Sequence, residues 1–203
     1  MSRPVQHLQF HQSESLRLVL RVLGILTWPL TWPLAMLARA SDAVFRTLSE
    51  GLSLLPYLVG VIVRREFYRF ALRRCGDNLV VEFGAIFLYR DVSIGNHSLI
   101  GRYSIVHHCD FGDYVVAGER CTFLHGPHYH HDERLDVPMA KQGGTISPIS
   151  IADDCWIGAH CVVMAPVATG AIVGAGSVVP SPVAERTVVA GNPARVLRTR
   201  DAS

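Results

Sequence analysis

The sequence predicts a mainly β protein, a solenoid of six-residue repeats preceded by an apolar helical region. Three observations carry this. An aliphatic residue recurs about every six residues from Ile94 onward. The composition changes near Asn78. Before that point, a long uncharged stretch holds two Trp-Pro-Leu units.

The global numbers narrow the class first. The chain has 203 residues, 49% of them apolar and only 18% charged, the reverse of a disordered composition. Five cysteines without CxxC spacing exclude a disulfide scaffold and read as small buried hydrophobes in a reducing compartment. A net charge of +2 gives no basis for a nucleic-acid partner. That charge is unevenly spread: residues 1–78 carry ten Arg against five Asp/Glu, and residues 79–203 nine Lys/Arg against twelve. The division suggests a helical region over 1–78 and a β domain over 79–203.

In the first region, Val22 to Ala38 is free of charge and is bracketed by Arg21 and Arg39. As a helix it would be about 26 Å long at roughly 1.5 Å per residue, just short of a ~30 Å hydrocarbon core. Pro29 and Pro33 each remove a backbone donor and should kink it. Trp28 and Trp32 fall on one face, and Trp favours the membrane–water interface. A second apolar run, Leu52 to Val63, leads into Arg64, Arg65, Arg69, Arg73 and Arg74. Such basic clusters attract anionic lipid. Two readings stand: a cap packed on the second region or a neighbouring subunit, or contact with a membrane surface through residues 16–74. A cleavable signal peptide does not fit the long, mixed-charge start.

In the second region the pairs Ile94-Gly95, Ile100-Gly101, Val106-His107, Phe111-Gly112 and Ala117-Gly118 set the rhythm. It resumes at Ile151-Ala152, Ile157-Gly158, Val163-Met164 and Val173-Gly174. Three short strands of this period close a triangular coil, and the aliphatic residues stack inside from coil to coil. The following residue takes the corner, where Gly is expected for its freedom at positive φ.

The series Trp156-Ile157-Gly158-Ala159, Val173-Gly174-Ala175-Gly176-Ser177-Val178-Val179 and Ala190-Gly191-Asn192-Pro193-Ala194-Arg195 resembles the hexapeptide-repeat acyltransferases. Within that superfamily, which includes the galactoside and maltose O-acetyltransferases, the entry Arg73-Arg74-Cys75-Gly76-Asp77-Asn78 is similar to surface-polysaccharide enzymes. The resemblance covers roughly Leu79 to Arg198. It implies a left-handed parallel β-helix, acetyl-CoA as co-substrate, a homotrimer with the active site between neighbouring solenoids, and no metal. It also implies a sugar or glycan hydroxyl as acceptor, in polysaccharide or glycolipid biosynthesis. A lipid-linked acceptor and a place at the inner face of the cell membrane would give the basic, apolar N-terminus a task. The family's stretch around Ala165 to Gly174 is here about two residues short, so one coil face must tighten.

Residues 124–148 interrupt the repeat. An insertion of this length in a solenoid is usually functional. It holds His125, His128, His130 and His131, and His107 and His108 lie one coil earlier. An imidazole with a pKa near 6.5 can take the proton of a sugar hydroxyl as it attacks a thioester. The resemblance implies one loop histidine as this base. His128 follows a Gly-Pro turn and is the first candidate, His125 the second and His130 the third. Asp110, Asp132 and Asp136 are equivalent candidates for the acid that orients it. By the resemblance Gly158 and Ala159 supply backbone donors to the oxyanion. Ala159 and Ala175 flank the pantetheine arm, Arg195 and Arg198 meet the nucleotide phosphates, and Trp156 lines a pocket. Two other functions fit the same fold: a zinc enzyme like the gamma-class carbonic anhydrases, whose Gly-His-x4-His pair is absent after His160, and a non-catalytic scaffold.

Overall fold

The computed structural model describes residues 14–126 and 131–200. His128 and His130 lie outside the described residues. Three helices come first: α1 (Glu14–Ala38), α2 (Asp42–Ser53) and α3 (Tyr57–Ala71). Ser41 caps α2, its hydroxyl accepting from the N–H of Val44 at 3.3 Å, which satisfies one of the orphan donors of the first turn. Helix α1 continues through Pro29 and Pro33.

The rest is a parallel β-solenoid of about six coils, as the repeat requires. Its first coil is β1 (Arg74–Cys75), β2 (Val80–Val81) and β3 (Ile86–Phe87). It begins ahead of the boundary drawn at residue 79. The second is β4 (Ser93–Ile94), β5 (Leu99–Ile100) and β6 (Ile105–Val106). The third is β7 (Cys109–Phe111), β8 (Val116–Ala117) and β9 (Thr122–Phe123). After the insertion come β10 (Ile149–Ile151), β11 (Trp156–Ile157) and β12 (Val162–Val163). The fifth coil has Val167 as a bridge with β13 (Ile172–Val173) and β14 (Val178–Val179). The last has β15 (Thr187–Gly191), and β16 (Ala194–Thr199) turns back antiparallel to close the open edge. The strands stack into three faces: face A from β1-β4-β7-β10, face B from β2-β5-β8-β11-β13-β15-β16, and face C from β3-β6-β9-β12-β14.

The register exposes an asymmetry among the three edges. The inward residue advances by six from face A to face B in every coil: Ile94 to Ile100, Phe111 to Ala117, Ile151 to Ile157, Val167 to Val173. It advances by six again from B to C, as in Ile100 to Val106 and Ile157 to Val163. From C back to A the steps are 7, 5, 28, 4 and 4, for Phe87 to Ile94, Val106 to Phe111, Phe123 to Ile151, Val163 to Val167 and Val179 to Val183. All variation in coil length therefore sits on one edge, C/A. The two-residue shortfall near Ala165 is absorbed there, as is the inserted loop.

The glycines after the inward residues do not act as expected. Positive φ falls three residues after the inward residue, at His97, Tyr103, Tyr114, Arg120, Asp154 and His160 among others. The glycine directly after the inward residue is needed for close approach instead. A Cβ at Gly118 would lie 2.6 Å from the Ala159 nitrogen, and one at Gly158 would lie 2.7 Å from the Ala175 Cα.

Inside, Ile94, Ile100, Val106, Ala117, Phe123, Ile157 and Val163 are fully buried. At the edges three thiols donate to carbonyls of the next coil: Cys121 to Gly158 and Cys161 to Gly174 at 3.1 Å, Cys155 to Ala168 at 3.2 Å. The helices seal the N-terminal end, and their core is continuous with the first coil. Phe67 packs edge-on to Tyr68 at 5.3 Å, and Tyr68 packs on Phe87 at 4.7 Å. Ser49 accepts from the Phe87 N–H at 3.0 Å and shares a 2.8 Å hydrogen bond with the Tyr68 hydroxyl. Burial pushes that phenol up to about 12.

Arg64 ties the two parts together. It is fully buried, where the sequence suggested a lipid-facing cation. Its Nε donates to the Val81 carbonyl at 2.9 Å, and Nη1 donates to the carbonyls of Leu52, Ser53 and Leu55 at 2.9–3.3 Å. The last turn of a helix leaves carbonyls without intrahelical partners, and this guanidinium supplies donors to those at and just beyond the end of α2.

Candidate functional site

The candidate site grows from edge C/A, where coil length is free to vary. Tyr89 and Asp91 leave β3, His107 and His108 span the step from β6 to β7, and His125 is two residues past β9. Parallel stacking lays these residues over one another. The His107 N–H donates to the Phe123 carbonyl at 2.9 Å, and the Leu124 N–H to Val163 at 2.9 Å. The insertion returns to its own start: the Ser147 N–H donates to the His125 carbonyl at 3.1 Å, and the Ile149 N–H to the His108 carbonyl at 3.0 Å.

Three imidazoles thus meet. The His125 ring lies 5.0 Å from that of His107 and 5.8 Å from that of His108, and only 4% of His125 is exposed. Tyr89 stacks on His108 at 3.8 Å, with Arg46 from α2 at 5.7 Å from the Tyr89 ring. Asp91 holds His108 Nδ1 at 3.1 Å. The carboxylate at Nδ1 fixes the orientation of the His108 ring and turns Nε2 to the opposite side. That Nε2 and His107 Nδ1 are buried and have no hydrogen-bond partner among the described residues. Burial depresses His107 to about 4, helped by the charges of His125, His108 and Arg46.

The carboxylate paired with an imidazole of this cluster is Asp91, on His108, and the sequence reading did not name it. Asp110 is engaged elsewhere, by Arg73 and the Ser93 N–H, and Asp136 pairs with Arg134 on the loop. Asp91 and His108 are 17 residues apart, the step of one coil. The signal was present in the repeat but needed the register to read it.

The residues assigned to the donor lie elsewhere. Gly158, Ala159 and Ala175 form edge B/C, separated from the histidines by face C. The Gly158 N–H already donates to the Val173 carbonyl at 2.7 Å, so it cannot serve an oxyanion, which leaves Ala159 of the expected pair. Trp156 stands outward on face B, 56% exposed. With Leu99, Tyr114, Val116, Ile172 and Arg200 it lines a groove of about 440 Å³. Arg195 and Arg198 are exposed on β16. Arg200, missed in the sequence, donates to the Gly170 carbonyl and approaches Asp154 at 3.5 Å. Within one chain the structure gathers His125 with His107 and His108, and not with Trp156, Gly158, Ala159, Ala175, Arg195 or Arg198. Among the described residues no group of three or more His, Cys, Asp or Glu is arranged to hold a metal ion.

No protein-family model matches the chain. A solved hexapeptide-repeat acetyltransferase from Vibrio cholerae superposes with a TM-score of 0.66 at 27% identity, covering 79% of this chain and 93% of that one. The chain has the hexapeptide-repeat acetyltransferase fold. The same Vibrio protein solved with acetyl coenzyme A matches at a TM-score of 0.60 and 24% identity, over 78% of this chain and 89% of that one. A maltose O-acetyltransferase from Clostridium difficile 630 matches at 0.67 and 21% identity, over 79% and 89%. Among curated proteins, a probable acetyltransferase of Mycobacterium tuberculosis (strain ATCC 25618 / H37Rv) is 26% identical over 114 residues, which is 54% of this chain. The chain matches 37% of that relative's length. In this hexapeptide-repeat fold the C/A edge is the part with no fixed length, and it is where the buried histidines collect.

Proposed function

We propose that the chain is an acetyl-CoA-dependent O-acetyltransferase acting on a sugar hydroxyl, with His125 as general base. The observation that carries this is the buried cluster of His107, His108 and His125 where the insertion leaves a hexapeptide-repeat acetyltransferase fold. His125 takes the hydroxyl proton as the oxygen attacks the thioester carbonyl. The tetrahedral oxyanion is met by a backbone donor, with Ala159 the free member of its corner pair. Collapse breaks the C–S bond, and the imidazolium returns its proton to the departing thiolate. A positioned base of this kind contributes roughly 10²–10⁴-fold. Burial keeps His107 itself neutral. Asp91 fixes the His108 ring beside it.

The separation of edges B/C and C/A within one chain supports a trimer, in which the B/C edge of one solenoid brings the acetyl donor to the histidines of its neighbour. Arg195 and Arg198 are then the cations for the polyanionic nucleotide of the donor. The name of the maltose enzyme suggests a sugar acceptor. A role in polysaccharide or glycolipid biosynthesis goes with the same reading.

Calorimetric titration of the intact chain with acetyl-CoA, followed by thiol release with a panel of mono- and oligosaccharides, tests it. Saturable donor binding with acceptor-dependent thiol release is expected. No donor binding would overturn the reading. Single His128→Ala and His130→Ala variants in the same assay decide between these histidines and His125: wild-type turnover is expected for both.

A further inference from the structure

Helix α1 is built inside out. The residues it buries completely are small or hydroxylated: Gly24, Thr31, Ala35 and Ala38, with Thr27, Leu34 and Met36 half-buried. They recur at helical spacing and form the stripe that lies on α3. The residues it exposes are large and apolar, with Leu26 71%, Leu30 57% and Val22 52% exposed, and Leu18, Ile25 and Leu37 alike. In a soluble helix the assignment runs the other way. Small residues at the protein contact and large apolar residues outward are the pattern of a helix whose outer solvent is lipid, and a continuous apolar face of this length marks an interaction surface.

The helix is long and apolar enough to cross a membrane by length and composition, yet it is pinned to polar partners. At its middle, Trp28 donates from Nε1 to Glu66 at 3.0 Å, and Glu66 is held by Arg65 at 2.7 Å. The Trp28 ring meets Phe70 edge-on at 5.7 Å. One flank of α1 is thus fixed to a charged pair on α3. Pro29 and Pro33 are exposed on the outer side, and the carbonyls of Ile25 and Pro29 that they leave without a helical donor need water or headgroups within reach. A small recess formed by Arg21, Arg65, Arg69, Gly76, Asp77 and Asn78 opens between α1, α3 and the first coil. It carries three guanidinium groups against one carboxylate. Arg65 is buried on Glu66, and Arg69 engages both Glu66 and Asp77, so the exposed cations of the recess are Arg21 and Arg69.

We propose that the outer face of α1 lies in the plane of an anionic bilayer surface, with Leu26 and Leu30 in the acyl boundary and the exposed Arg21 and Arg69 at the headgroup phosphates. Charge decides for lipid over a second copy of the chain. Symmetric pairing along this face would bring the basic ends marked by Arg21 and Arg39 against their like, whereas phosphates complement them. This is independent of the acetyl-transfer reading.

Flotation of the intact chain tests it, with vesicles of phosphatidylcholine plus phosphatidylglycerol and with vesicles of phosphatidylcholine alone. Wild type is expected to float with the anionic vesicles, to be lost from them at high salt, and to stay largely unbound with the neutral ones. Leu26→Glu/Leu30→Glu is expected to abolish flotation at unchanged thermal stability, and Arg21→Glu to weaken it severalfold. Three results would overturn the proposal. One is wild type that floats with neither vesicle. Another is flotation indifferent to lipid charge. The last is a drop in oligomer mass for Leu26→Glu/Leu30→Glu with no flotation of wild type, which would make the face a contact between copies.

Discussion

The inner wall of the solenoid and the buried face of α1 use opposite residues for one task. Inside the coils, Ile94, Ile100 and Ile157 stack because each short strand must hide a branched chain from water, and only their neighbours in adjacent coils can cover them. On α1, the buried stripe is Gly24, Thr31, Ala35 and Ala38, and the bulky chains point away. The difference is one of distance. The three faces of each coil stand apart and enclose an interior that Ile and Phe fill. Helix α1 instead lies close against the ion pair of α3: a Cβ at Gly24 would come 2.6 Å from Glu66 Oε1. A residue's size is read by the geometry that receives it, and burial does not follow hydrophobicity where a charged pair already fills the space.

The comparison can be broken at the joint between its two halves. Arg64→Met removes the donors to four carbonyls from both regions and leaves them buried. A loss of about 4 kcal/mol, within the range for breaking a buried charged network, is expected by chemical denaturation, with α2 and α3 losing amide-exchange protection first. Retention of wild-type stability would mean that the helices and the first coil are not held by this group.

Within the solenoid, Ile157→Ala deletes a fully buried side chain and should cost about 3 kcal/mol. The pH dependence gives a smaller, graded effect at the C/A edge. His107 titrates near 4 in the fold and near 6.5 when unfolded. The unfolded chain therefore binds more protons between those values. The stability from keeping His107 neutral is fully present above about pH 6.5, falls as the pH drops, and is exhausted near pH 4. A denaturation series over that window should show the decline in wild type and a shallower one in His107→Gln. Smallest of all, Leu26→Ala on the exposed face should change stability by no more than about 0.5 kcal/mol. A loss as large as that of Ile157→Ala would show that the outer face of α1 is covered in the folded protein.

How much of this could be read in the sequence follows the same division. The solenoid was legible because Ile94, Ile100, Phe111, Ala117, Ile151 and Ile157 repeat their type at a fixed step. The glycines that follow them were legible in position and misread in cause, since close packing and positive φ select the same residue. The C/A edge was half legible: its insertion broke the rhythm and showed its histidines, but the pairing of Asp91 with His108 depends on a step of 17 residues between coils. Arg64 was hidden because a charge in a basic run reads as solvent-facing, and its four carbonyl partners are backbone atoms that carry no side-chain signal. The direction of α1 was hidden too, because Gly, Thr and Ala among Leu and Val look like dilution until a partner is packed against them.

The proposal places acetyl transfer at the edge where coil length is free, with His125 as the base. The most direct measurement is acceptor-dependent thiol release at saturating acetyl-CoA, for wild type and His125→Ala, with donor affinity measured alongside by calorimetry. The account predicts a fall in turnover of roughly 10²–10⁴-fold while the donor dissociation constant stays within about twofold, since the donor residues lie on the other edge. Wild-type turnover in His125→Ala, with the fold intact, would contradict it.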